Sequence, residues 1–132
     1  MVSVYLDTDC ILALVKEKDW LKKSVEKRIK KEKKLCTCVL SVVESRLVLI
    51  REENIDVALC VEDKLKNLNV KLLPLDDRIL KKSNELMKQF DFLGTFDSLH
   101  IACANLHGEK ILSTDHIFEI IPDLLVEDPR KA

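Results

Sequence analysis

Four acidic residues fall where an open α/β sheet would assemble a reactive edge. Asp7 lies in the segment YLDTD, Glu44 in LSVVES, Asp97 in GTFDSLHIACA and Asp115 in ILSTDHIF. Carboxylates drawn together cannot all stay ionised without a counter-charge. A hard divalent cation with oxygen ligands is the usual partner for such a set. The chemistry implied is metal-assisted hydrolysis, in which a carboxylate-held ion neutralises phosphate oxygens and activates a water.

The elements that must position these acids follow from apolar spacing. Residues 2–6 form a short apolar run that reads as a buried strand, and residues 8–18 read as a helix. Asp19 reads as the N-cap of a helix over 20–32, with Leu21, Val25 and Ile29 on one stripe. A second strand is expected at 35–39. Ser41 with Glu44 three residues later reads as a capping box, and Val43, Leu47 and Ile50 as that helix's apolar face. A further helix over 54–67 carries Val57, Val61 and Leu65 at helical spacing. Residues 70–75 read as a third strand broken by Pro74, and a helix starts at Asp76 or Asp77 and runs to residue 90, with Ile79, Leu80, Leu86 and Met87 inward. Gly94 and Thr95 open the helix bearing Asp97, whose stripe is Phe96, Leu99, Cys103 and Leu106 and whose stop is Gly108. Residues 110–113 and 124–126 complete the strands.

Strands alternating with helices predict a parallel sheet covered on both faces. In such a sheet, ligands bind outside the carboxyl ends of the strands, which is where Asp7 and Asp115 fall. Asp97 sits at a helix start, where the backbone dipoles favour an anion. Glu44 has apolar neighbours, and a carboxylate there is costly unless paired, capping or metal-bound. Each acid also has a plain structural role open to it: strand end or cap for Asp7, dipole complement for Asp97, turn residue for Asp115, capping box for Glu44.

Composition bounds the rest. A chain of 132 residues with 47% hydrophobic and 34% charged residues reads as one globular domain over 1–132. The net charge of −1 gives no global basic field for nucleic acid. The run Lys22, Lys23, Lys27, Arg28, Lys30, Lys31, Lys33 and Lys34 could guide RNA phosphates or simply form a solvated helix face. No apolar run could span a membrane and no signal-peptide pattern follows Met1, so the cytoplasm is the expected location. The five cysteines sit among apolar residues and read as reduced core thiols. Cys36 and Cys38 share a strand face but lack the second pair a zinc site needs.

YLDTD, the Glu44 helix, FDSLHIACA and LSTDHIF resemble, in order and spacing, the four acidic motifs of the PIN-domain family across nearly the whole chain. The compact length resembles the VapC-type toxins of prokaryotic toxin–antitoxin pairs. The resemblance implies a three-layer α/β/α sandwich around a parallel sheet of four to five strands. It implies a Mg²⁺- or Mn²⁺-dependent endoribonuclease with Asp7, Glu44, Asp97 and Asp115 in its acidic pocket. It also implies an RNA substrate, a small antitoxin partner and a homodimer. Thr114 matches the small hydroxyl position beside the last acid. Asp9 departs from the usual Asn or Ser, and its expected work is capping or support of the metal site. His116 is a candidate phosphate contact, whereas His100, close to the Phe96 and Cys103 stripe, is expected to be packed and hydrogen-bonded.

Three alternatives stay open. Asp7 and Asp9 resemble the nucleophile and acid of haloacid-dehalogenase-like phosphatases, although Cys10-Ile11 departs from that pattern. The length and alternation also fit a phosphorylated receiver switch, but the acids end the first strand, the third ends at Pro74-Leu75-Asp76, and no Lys-Pro follows the last. The last is a PIN-like module that binds RNA or a partner without cutting it.

Overall fold

The computed structural model describes residues 3–107 and 110–131. The strand start at Val2 and the helix stop at Gly108 lie outside them. Five strands, β1 (Val4–Leu6), β2 (Leu35–Cys38), β3 (Val70–Leu73), β4 (Lys110–Leu112) and β5 (Val126–Glu127), pair in the order β3-β2-β1-β4-β5. All pairs are parallel, with Tyr5 opposite Cys36 on one side and Ile111 on the other. The chain builds outward from β1 to β3, then returns to place β4 against the other side of β1. The carboxyl ends of β1 and β4 therefore flank the topological switch point, the crevice where such sheets bind ligands.

Among the described residues, seven α-helices cover the two faces: α1 (Thr8–Val15), α2 (Lys22–Ile29), α3 (Val39–Glu52), α4 (Ile55–Leu59), α5 (Val61–Asn67), α6 (Asp77–Gln89) and α7 (Thr95–Leu106). Side chains alternate along each strand. Val4, Leu6, Leu35 and Leu112 join one core with α1, α2 and α5, while Tyr5, Cys36, Cys38 and Ile111 join a second core with α6 and α7. The three-layer sandwich expected from the family resemblance is the observed architecture. Buried Arg28 on α2 pairs with Glu127 of β5 and with Glu32, tying the first layer to the sheet edge.

Several local expectations are corrected. The first helix ends at Val15 rather than residue 18, and α2 starts at Lys22, although Asp19 still accepts from the Leu21 N–H. The predicted helix over 54–67 is two helices with a break at Cys60. No capping box forms at Ser41. α3 begins straight after β2, Cys38 is its N-cap, and the Ser41 hydroxyl is taken by Thr37 at 2.7 Å. Leu40, Val42, Ser45 and Leu49 face inward on α3, and Val43, Leu47 and Ile50 are exposed. Helical spacing fits both stripes, and the small serines let the first approach the sheet. For the same reason Leu80 and Met87 on α6, and Phe96 and Leu106 on α7, are exposed, while Ile79, Leu86, Leu99 and Cys103 are buried. α6 and α7 are drawn together by a buried Ser83–Ser98 hydroxyl contact of 2.6 Å.

Candidate active site

Asp7 follows β1 directly and is the N-cap of α1. Its Oδ1 accepts from the Thr8 N–H at 2.8 Å and its Oδ2 from the Ser113 hydroxyl at 2.6 Å. Ser113 follows β4, and its oxygen accepts in turn from the Asp115 N–H at 3.0 Å. The two central strands are thus stitched together at their carboxyl ends. Asp7 is buried, and that burial, with the charge of Asp9 adding to it, raises its pKa to about 6 against the pull of His100 and the two donors.

Glu44 projects from α3 and is half-buried. Its Oε1 accepts from the Thr8 hydroxyl at 3.0 Å and faces His100 Nε2 at 2.5 Å. His100 is the packed, hydrogen-bonded histidine that the sequence suggested, with its Nε2 4.0 Å from Asp7. Burial opposes its protonation, but the Glu44 hydrogen bond and the charge of Asp7 outweigh burial and raise its pKa.

Asp97, in the first turn of α7, is half-buried. Its pKa is raised by burial and then by the charges of Asp115 and Glu44, with His100 opposing. Asp115 is exposed and caps the turn of 3₁₀ helix at His116–Ile120 through the Ile117 N–H at 3.0 Å. The acids expected from the sequence therefore lie toward one edge of the sheet, and the charges of Asp115 and Glu44 bear on Asp97. Beside them, Asp9 Oδ2 accepts from the Thr114 N–H at 2.9 Å and its hydroxyl at 2.5 Å, while the buried Asp9 Oδ1 has no hydrogen-bond partner. His116 stands apart, exposed, with Nδ1 3.3 Å from Glu119.

Among the described residues, no group of three or more His, Cys, Asp or Glu side chains is arranged to hold a metal ion. The donors at this edge are nevertheless suited to a hard cation. They are carboxylate oxygens, Asp97 is held protonated longer by burial and by its neighbours' charge, and the Asp9 Oδ1 is buried without a hydrogen-bond donor among the described residues. A divalent cation would relieve that repulsion. The Cys36 and Cys38 pair is buried on the sheet face toward α7.

The sequence did not single out Tyr5, Thr8 or Ser113. Strand alternation was the available signal for Tyr5, which faces α7 from β1 and meets His100 Nδ1 at 2.6 Å. The serine of S-T-D was the signal for Ser113. The basic run divides in the folded chain. Lys22 caps α1 by donating to the carbonyls of Ala13, Leu14 and Lys16, and Arg28 is buried in its ion pairs. Lys33 and Lys34 border a cleft of about 440 Å³ with Lys71 and His107, at the amino ends of the strands and away from the acids.

Comparison with known proteins bears on this geometry. The PIN domain profile matches residues 4–124. No curated protein matches the sequence. Among solved structures, VapC20 of Mycobacterium tuberculosis, described as a sarcin–ricin loop cleaving toxin, is 14% identical with a TM-score of 0.77, covering 88% of this chain and 92% of its own. VapBC2 of Rickettsia felis, solved with a DNA fragment from its promoter, is 13% identical with a TM-score of 0.78, covering 96% and 98%. VapBC-1 of nontypeable Haemophilus influenzae is 20% identical with a TM-score of 0.75, covering 97% and 98%. At such identities these likenesses concern the fold. The profile match runs through every strand but the last, and it sets aside the phosphatase and receiver alternatives: the chain belongs to the PIN-domain family.

Proposed function

We propose that this chain is a metal-dependent endoribonuclease, cutting RNA phosphodiester bonds as the toxin of a toxin–antitoxin pair. The observation that carries it is the approach of Asp7 and Glu44, from separate elements, to His100 Nε2 at 4.0 and 2.5 Å, with Asp97 acted on by the charges of Asp115, His100 and Glu44. The PIN family and the toxins among its structural relatives support the same conclusion.

Asp7, Asp97 and Asp115 are the residues to hold Mg²⁺ or Mn²⁺, directly or through water, and Glu44 joins them as a ligand or orients the attacking water. When bound, the ion supplies charge for the phosphate oxygens and lowers the pKa of a water. The protein's own part is alignment. Thr8 fixes Glu44, Ser113 fixes Asp7, and Asp9 holds the Thr114 loop that carries Asp115. His116, exposed and next to Asp115 in the chain, is the phosphate contact we assign.

The test is cleavage of labelled structured RNAs by the purified protein in Mg²⁺ or Mn²⁺, with EDTA and Asp97→Asn as controls. Metal-dependent cutting lost in both controls is expected. Metal binding with no cleavage of any RNA would instead favour a non-catalytic RNA- or partner-binding module.

The partners proposed are an antitoxin and a second copy of the chain. The exposed stripe of Val39, Val43, Leu47 and Ile50 on α3, continued by Ile55 and Leu59 on α4, is a surface that association would cover. Leu47→Glu should leave stability within about 0.5 kcal/mol but lower the mass measured by sedimentation; an unchanged mass would remove α3 from the self-association surface. No helix among the described residues is long and apolar enough to cross a membrane, and we place the activity in the cytoplasm.

A further inference from the structure

We propose that His100 and Tyr5 are positioning residues for Glu44, holding one oxygen of its carboxylate so that the other is presented to the acidic pocket. The consequence for cleavage rests on the nuclease function proposed above, whereas the hydrogen-bonded chain itself does not.

The placement follows from two periodicities. Asp97 and His100 are three residues apart on α7, one turn along the same face. Asp97 is half-buried at the acidic edge, and His100, one turn further on, is buried. Tyr5 occupies the middle of β1 and points to the same layer, where its ring stands edge-on to the imidazole at 5.8 Å between centroids. Its hydroxyl contacts His100 Nδ1 at 2.6 Å and accepts from the Cys38 N–H at 3.3 Å, at the start of α3. The chain Cys38–Tyr5–His100–Glu44 therefore joins β1, α3 and α7, the elements that precede or carry Asp7, Glu44 and Asp97.

The hydrogens can be assigned by elimination. An ionised carboxylate only accepts, so the 2.5 Å contact requires the hydrogen on His100 Nε2. At Nδ1 the partner is a hydroxyl, which can give or take a hydrogen. The Nε2–H donor consequently faces Glu44 whether the imidazole carries one hydrogen or two. Oε1 of Glu44 receives both this donor and the Thr8 hydroxyl, while Oε2 has no hydrogen bond among the described residues. One oxygen is anchored, and the other is left for a ligand or water.

The first experiment needs no activity. In metal-free protein carrying ¹⁵N-histidine, His100 should show a slowly exchanging Nε2-bound proton far downfield. It should vanish in His100→Gln, move strongly in Glu44→Gln and stay in Asp97→Asn. A proton indifferent to Glu44→Gln would overturn the proposal.

The second experiment measures Mn²⁺ affinity by titration, alongside kcat and KM on RNA. Groups that orient metal ligands typically carry about 10- to 100-fold in affinity or activity. His100→Leu should weaken Mn²⁺ binding or lower kcat by that range with KM for RNA little changed, and His100→Gln, which restores a donor, should recover part of it. Tyr5→Phe, the gentler change should His100→Leu fail to fold, should give a smaller loss of the same kind. Wild-type Mn²⁺ affinity and kcat in folded His100→Leu or Tyr5→Phe would overturn the positioning role. Should the wild-type protein cut no RNA, the nuclease function fails alone, and the histidine proton and Mn²⁺ affinity still decide for or against His100.

Discussion

The acidic edge has two unlike halves. Asp7 and Glu44 are anchored: Asp7 has one oxygen on the first N–H of the helix it caps and the other on Ser113, one oxygen of Glu44 is matched to donors on α1 and α7, and Asp7 is buried. Asp97 and Asp115 are open. Asp97 has its ionisation set by burial and then by charged neighbours, and Asp115 is exposed and spends one oxygen on the turn that follows it. The fold fixes one half in advance, and under the proposed function the other half is completed by an outside charge. Preorganised groups lose little freedom when a ligand arrives, and the open pair gives that ligand a way in.

Breaking the open half should have the largest effect. Asp97→Asn should lower single-turnover cleavage on the order of 10³-fold or more, the loss expected when several kcal/mol of charge stabilisation disappear, while the protein melts no earlier than wild type. Cutting at the wild-type rate would show that the open pair is not part of the machinery.

In the anchored half, Asp7→Asn should abolish cutting as well, yet it should differ in stability. The folded-state pKa of Asp7 is raised from 3.8 to about 6. Between those values the folded protein retains a proton that the unfolded chain releases, so this group lowers stability as pH rises through the window and weakens the fold fully above it. Asp7→Asn in EDTA should thus be about 1–3 kcal/mol more stable than wild type at pH 7.5 and little different at pH 4. Urea melts across that range provide the check, and a pH-independent difference would contradict the burial cost assigned to Asp7.

Smaller effects should come from the supporting contacts. Thr114→Val removes one of two donors on the Asp9 carboxylate and should destabilise by about 1–2 kcal/mol in thermal melts. His116→Ala, at the exposed end of the open half, should change stability by less than about 0.5 kcal/mol. It should weaken RNA binding only modestly; unaltered affinity would remove His116 from the phosphate path.

Sequence pattern located the edge better than it located the faces. Asp7 and Asp115 were legible because each follows an apolar run, and parallel strands carry such residues to one side. Glu44 was legible as a costly acid, but not its setting. The Ser41 spacing mimics a cap, and only the absence of a loop between β2 and α3 moves the helix start to Val39. The stripes on α3, α6 and α7 were ambiguous because each helix has apolar residues on two sides, and packing against the sheet selects one of them. Thr8 and Ser113 escaped notice because a hydroxyl's partner is set by tertiary approach, here across 36 residues to Glu44 and 106 to Asp7.

That last separation has a consequence in time. Asp7 leaves the ribosome 106 residues ahead of the serine that holds it, and the strand that flanks it is made just before that serine. While those residues are added, the Asp7 edge has neither its hydroxyl donor nor its neighbouring strand. The acidic edge is therefore assembled only after the chain between the two strands has been made.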